Sequence, residues 1–372
     1  MKPDALSVRA VTTLEEFETL AGPWTALLRQ AGVDNVFLTW EWLYTWAKHY
    51  LGTDRLWIAL VYREPDRLVG IAPFFIRRGR AHGIPLRDLR FLGSDEVCSA
   101  YLDFIVSRRD QAAVVSRLYR YLHEEVSAIW DTVTLPEIPA GSSTIDLWDR
   151  LIQDAGKVVD VVATTACPVM ELPASAEDLT ERMGTKARYN LLRSRKRLEQ
   201  AGRVVYERVA SEHEVQEALA TFIQLHQKRW VKTAPGGAFA SPRFLAFHQE
   251  IAKVFSELGW LRLDFLRLNG EAIAGVYGYS YRRRYSFYLP GFDPAVLPRM
   301  SPGILLLLRC AGEAVREGDR QFDLLQGVAD YKMVWADRLE RCLTLRHYNH
   351  NVRASAAKLL ASGRDAVKAL VR

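Results

Sequence analysis

YSFYLPGFDPAVLPRMSPGILLLLRCAGEAVREGDRQFDLLQGVADYKMVW, Tyr285 to Trp335, is where the architecture is most legible. Tyr285–Phe292 is aromatic-rich, the mark of a strand. A loop broken by Pro294, Pro298 and Pro302 follows. Gly303 opens an apolar helix, Ile304–Glu317, which Gly318 ends. Phe322–Gln326 reads as a second strand, broken by Gly327.

Strand, loop, helix, strand points a helix N-terminus at the open ends of strands. Unpaired N–H groups and the helix dipole make that end a site for anions, phosphate above all. Pro302 suits an early helical position, and Gly303 admits a ligand close to the backbone. Ser301-Pro302-Gly303-Ile304 is therefore the expected cradle for the pyrophosphate of a coenzyme A thioester. An ordinary capped core helix beginning at Ser301 is the alternative.

Working outward, 372 residues fit two domains or one duplicated domain. Hydrophobic content of 49% and charged content of 25% are those of a globular protein. The net charge of +6 suits an acidic ligand, but no Lys/Arg block dominates, which argues against nucleic acid. Cys98, Cys167, Cys310 and Cys342 form no CxxC pair, so neither zinc nor a disulfide framework is expected. The start lacks a secretory h-region, and ILLLL is too short to span a bilayer. A cytoplasmic monomer or homodimer is expected.

Before the quoted stretch, Leu14–Ala31 reads as a helix divided at Pro23. Phe37–Tyr50 reads as a second helix, with Trp42, Thr45, Trp46 and His49 on one face. Leu56–Tyr62 and Leu68–Arg77 are strands, as are Leu89–Leu92 and Tyr101–Val106. Asp110–Val126 and Ser143–Ala155 are helices around the strand Thr132–Leu135. Lys186–Ala201 is a strongly basic helix with Ala187, Leu191, Ser194 and Leu198 as its buried stripe. Glu212–Trp230 and Pro242–Leu258 are helices. Asn269-Gly270, between strand-like runs, predicts a type I′ hairpin. Val328–Ala336 is read as helix, Leu343–Tyr348 as strand, and Ala354–Arg372 as an amphipathic tail. The two halves share this order of elements.

KARYNLLRSRKRLEQAG at Lys186–Gly202, LHQKRW at Leu225–Trp230 and NGEAIAGVYGYSYRRRYSFYLPGFDP at Asn269–Pro294 carry a family likeness. SPGILLL at Ser301–Leu307 and FDLLQGVADYKMVW at Phe322–Trp335 extend it. Together they resemble the GNAT acyltransferases, and more narrowly the two-module CelD/BcsL-type acetyltransferases, relatives of the FemAB peptidyltransferases. The resemblance implies an α/β fold of α+β type: tandem GNAT-like modules, each a mixed, mostly antiparallel sheet flanked by helices. The modules would span 1–172 and 173–353, followed by a helical tail, 354–372. It further implies transfer from acyl-CoA, most simply acetyl-CoA, to an amine or hydroxyl of a sugar, glycan precursor or related small molecule. No metal is implied. The usual Q/R-x-x-G-x-G/A phosphate loop is here Arg299-Met300-Ser301-Pro302-Gly303, with one glycine. FemAB enzymes use aminoacyl-tRNA on the same fold, so that chemistry stays open, as does an inactive scaffold in polysaccharide assembly.

Such a site needs positioning, a base and oxyanion donors. Backbone N–H groups near Leu289 are the expected donors, since Pro290 has none. Asp323 would accept a proton or orient the acceptor, or else form a strand-end salt bridge. By resemblance to FemAB enzymes, Lys332 would stabilise the oxyanion or bind acceptor phosphate; otherwise it is a solvated lysine. Tyr331 would protonate the leaving thiolate or simply pack. His226 is the general-base candidate by its ordinary pKa, one helical turn before Trp230, so both would face the cleft. Arg188 would grip a phosphate or carboxylate, and Arg299 the cofactor's phosphate. His82, His123 and His213 have no readable partner.

Overall fold

The computed structural model describes residues 6–360 except 64, 82, 158, 182, 210, 231–236 and 297–300. The chain divides into two units. Unit 1 is Met1–Thr165 with Arg341–Arg372, and unit 2, Ala166–Glu340, is inserted within it.

Unit 1 runs β1 (Leu6–Val11), α1 (Leu14–Glu18), α2 (Ala21–Leu28), α3 (Trp40–Tyr50), β2 (Arg55–Arg63), β3 (Arg67–Ala81), β4 (Ile84–Phe91), β5 (Ile105–Val106), α4 (Gln111–Arg120), β6 (Thr132–Pro139) and α5 (Ser143–Asp154). Strand β7 (Val159–Glu171) leads into unit 2: α6 (Asp178–Glu181), α7 (Thr185–Ala201), β8 (Val204–Arg208), α8 (Val215–Trp230), α9 (Pro242–Glu257), β9 (Leu261–Leu268), β10 (Glu271–Tyr281), β11 (Arg284–Phe292), α10 (Pro302–Arg316), β12 (Gln321–Asp323) and α11 (Asp330–Met333). Strand β13 (Arg338–Tyr348) returns the chain to unit 1, where a helix occupies 352–360.

Both units are mixed α/β with helices against a mixed sheet. In unit 1, β1 to β4 form an antiparallel meander, and β4 pairs in parallel with β6 through Asp88–Arg90 against Thr132–Thr134. Residues 342–348 of β13 close the far edge of β6. In unit 2, β8 to β11 form the meander, and β11 pairs in parallel with β12. In each unit a helix, α4 or α10, connects the parallel pair. The hairpin after Leu268 turns with Asn269 at φ 53° and Gly270 at φ 91°, both positive as a type I′ turn requires.

Side chains alternate across β10. Ala274 and Val276 pack with Leu191, Leu198, Leu306 and Phe322 beneath α7 and α10. On the other face Tyr277 meets Phe222 of α8 and His248 of α9.

Several elements differ from the sequence reading. The strand β1 has no counterpart in it. The expected helix 14–31 is two helices that break at Thr19–Leu20. Pro23 lies instead in the first turn of α2, where its missing N–H is not needed. The helix expected from Phe37 starts at Trp40, because the Thr39 side chain accepts from Trp42 N–H and caps it there. Asp323, not Gln326, ends β12, since Leu325 takes φ 52°. The helix expected over 328–336 contracts to α11. The expected tail helix is described only to residue 360.

Candidate active site

The parallel register of β11 with β12 holds for three pairs only, Arg284–Ser286 against Gln321–Asp323. Beyond Ser286, β11 runs on to Phe292. Beyond Asp323 the chain turns off through Leu325 (φ 52°) and Gly327 (φ 99°). The two strands therefore fork. Leu289 lies on the continuing arm, opposite Tyr277 of β10.

A cavity of about 260 Å³ occupies this region. Phe287, Pro290 and Phe292 of β11 line it together with Ser301, Pro302, Gly303 and Ile304 at the start of α10, Arg229 of α8 and Tyr331 of α11. Among the described residues a Cβ at Gly303 would meet only Phe292, at 3.7 Å, an ordinary contact. The Ser301 side chain makes no cap. The Ile304 and Leu305 amides both donate to Ser301 O, at 3.0 and 3.2 Å. Ile304 thus lends its position rather than its N–H. Among the described residues the Gly303 N–H has no backbone partner.

Arg229 donates from Nη1 to Pro290 O at 3.1 Å and lies 5.5 Å over the Phe292 ring. Arg229 and Tyr331 both line the cavity, and the guanidinium lies close enough to act on the Tyr331 hydroxyl. Burial raises the pKa of Tyr331, and Arg229 opposes that rise. An arginine held beside a helix N-terminus makes the cavity electropositive.

Asp323 and Lys332 are not among the residues lining the cavity; both hold the turn that follows β12. Asp323 is fully buried. Its Oδ2 accepts from Arg284 Nε (3.0 Å) and Nη2 (2.7 Å), and its Oδ1 from Leu325 N–H (2.8 Å). Burial raises its pKa against the pull of Arg284. Arg284 also binds Glu340 at 2.7 Å. The arrangement is that of a strand-end ion pair. Lys332 donates to the carbonyls of Leu324 (2.7 Å), Leu325 (3.3 Å) and Gln326 (2.7 Å), using an ammonium's three N–H bonds. It is therefore not a solvated lysine, and burial pulls its pKa down to about 8. Leu325 is gripped from both sides, its N–H by Asp323 and its carbonyl by Lys332.

The other candidates lie apart. His226 is buried on the opposite side of β11, in edge contact with Phe239 at 5.3 Å, and burial pulls it down to about 4. It does not line the cavity. Arg188 is exposed on α7. Arg299 and the Trp230 side chain lie outside the described residues, as does His82. His123 does have a partner: its Nε2 is 3.2 Å from Nε2 of His347, a contact across 224 residues that no local pattern announces. Arg229, Arg284, Phe287 and Phe292 were not among the expected site residues. The parallel register of Arg284 with Asp323, once known, is the signal for that pair.

A strand fork closed by a helix start invites comparison with known proteins. Residues 185–333 match the Acetyltransferase (GNAT) domain. Residues 185–333 are thus similar to a GNAT-type acetyltransferase domain. That stretch includes every described residue lining the cavity. Among solved structures, FemX superposes with a TM-score of 0.62 at 11% identity, covering 95% of this chain and 99% of FemX. The C-terminal domain of a putative lysylphosphatidylglycerol synthetase from Agrobacterium fabrum gives 0.53 at 14% identity, covering 95% and 96%. L-PGS from Bacillus licheniformis gives 0.51 at 13%, covering 93% and 95%. At these identities the likeness is one of fold. No curated protein matches the sequence.

Proposed function

We propose that the protein is an acyl-CoA-dependent N- or O-acyltransferase of the CelD/BcsL type, moving an acetyl group to an amine or hydroxyl of a sugar or glycan precursor. The observation that carries this reading is the cavity at the β11–β12 fork, bounded by Ser301–Ile304 and Arg229. Coenzyme A, when bound, supplies the activated thioester carbonyl. Gly303 N–H and the dipole of α10 suit its diphosphate, and Arg229 adds a fixed positive charge. Phe287 and Phe292 give the cavity apolar walls that exclude water. In this reading Tyr331 hands a proton to the departing group, beside the Arg229 guanidinium. Asp323 and Lys332 act as positioning residues that keep the fork open. Free thiols and no described helix long and apolar enough to cross a membrane accord with a cytoplasmic setting.

Titration calorimetry with acetyl-CoA tests the reading. Saturable binding is expected, weakened about tenfold or more in Arg229→Ala, since a lost charge-assisted bond is worth about 1.5–3 kcal/mol. No heat with any acyl-CoA overturns it. Aminoacyl transfer from charged tRNA is the second reading, favoured by the likeness to FemX along 95% of the chain. It requires tight, salt-sensitive tRNA binding.

A further inference from the structure

Helix α7 carries a surface that the acyl-transfer site does not use. Its seventeen residues hold Lys186, Arg188, Arg193, Arg195, Lys196 and Arg197 against one acid, Glu199. Leu191 and Leu198 anchor its inner face. The outer face presents Tyr189, Leu192, Arg193 and Lys196, spaced three and four apart. Tyr189 is 63% exposed and Leu192 55%. Among the described residues only Arg195 of the six cations finds an acid, Glu199 at 2.8 Å. Alongside runs a groove of about 690 Å³, lined by Leu198, Leu266, Leu305 and Leu308 together with Glu199 and with Arg309 and Arg316, which both pair with Glu313.

Cations alone would suit any polyanion. An exposed tyrosine and leucine at the crest, with positive charge on both flanks, suit a surface that is anionic outside and apolar just beneath. We propose that α7 docks on an anionic lipid bilayer. Tyr189 and Leu192 enter the headgroup boundary, the flanking lysines and arginines meet lipid phosphates, and the groove offers apolar room beside them. RNA is the competing polyanion. It has no use for Leu192, and α7 has a single aromatic for stacking.

The test is flotation of the full chain with phosphatidylcholine vesicles, with and without phosphatidylserine. Binding is expected only with phosphatidylserine, and raised salt should release it. Leu192→Ser should weaken it about tenfold, the worth of one buried leucine side chain. The pair Arg193→Glu and Lys196→Glu should weaken it about 25-fold or more, at about fivefold for each cation removed. All these positions are on the solvent face, so circular dichroism should be unchanged. Absence of binding, equal binding to neutral vesicles, or RNA binding indifferent to Leu192→Ser would each overturn the proposal. Acetyl-CoA affinity is measured separately, so its outcome does not decide this one.

Discussion

Gly291 lies where β11 passes close against the backbone of α8. A Cβ built there falls 2.7 Å from His226 N, 3.0 Å from Leu225 C and 3.1 Å from His226 Cα. All three are helix backbone atoms, which cannot swing aside. Gly291→Ala must therefore push α8 outward by several tenths of an ångström, and Arg229, one turn further on, moves with it. Overpacking of this kind costs about 1–3 kcal/mol, offset in part by the ~0.5–1 kcal/mol that alanine gains over glycine in a regular element. Unit 2 has 175 residues (340 − 166 + 1). A net loss of ~1–2 kcal/mol then lowers its melting temperature by about 2–8 °C. Gly312 is the control. It sits inside α10, where among the described residues a Cβ meets only Arg316 Nη1 at 3.6 Å and Ala176 Cβ at 3.7 Å. Gly312→Ala should raise the melting temperature by about 2–4 °C through helix propensity alone. Calorimetry on both variants, with acetyl-CoA titration of Gly291→Ala, makes the check. Equal shifts of the same sign would refute the reasoning, because only at Gly291 does the added carbon meet helix backbone.

Arg284→Met leaves Asp323 and Glu340 without their shared cation. Breaking a buried pair costs about 3–5 kcal/mol, to be read from urea unfolding, and a loss under 1 kcal/mol would show that the pair does not brace the fork. Lys332→Met strips three carbonyls of their donor, so both stability and acyl transfer should fall; unchanged turnover would remove Lys332 from the site's support. His226 titrates at about 4 in the folded protein, below its ordinary 6.5. The unfolded chain therefore binds the proton first as pH drops, so the contribution of His226 to stability is constant above about 6.5 and declines between there and about 4. His226→Gln should flatten part of that acid limb in a pH series of melts, while a curve parallel to wild type would contradict the assignment.

How much of this could be read in the chain depends on the range of the interactions. The Asn269-Gly270 turn is local chemistry, and it forms as its residues dictate. The Ser301–Ile304 mouth was readable for the same reason: proline, glycine and an apolar run fix a helix start by short-range sterics. Tyr331 was named but not its partner, because Arg229 comes from a helix 102 residues earlier in the sequence. Asp323 and Lys332 were named for chemistry, whereas the geometry gives them a shared grip on Leu325. Only the left-handed turn there brings both within reach. His226 was chosen for its ordinary pKa, and tertiary burial among aromatic rings removes that property. The β11–β12 fork is a matter of register, and register between strands separated by a helix leaves no trace in local composition.

The nested path of the chain bears on biosynthesis. Residues 166–340 leave the ribosome before the strand that covers β6 has been made. Until residues 342–348 arrive, β6 offers an unpaired edge, the kind of surface that recruits other strands. A transcript cut after codon 340 would encode the whole of unit 2 and still yield a sticky product, because what is missing belongs to the neighbour that began first.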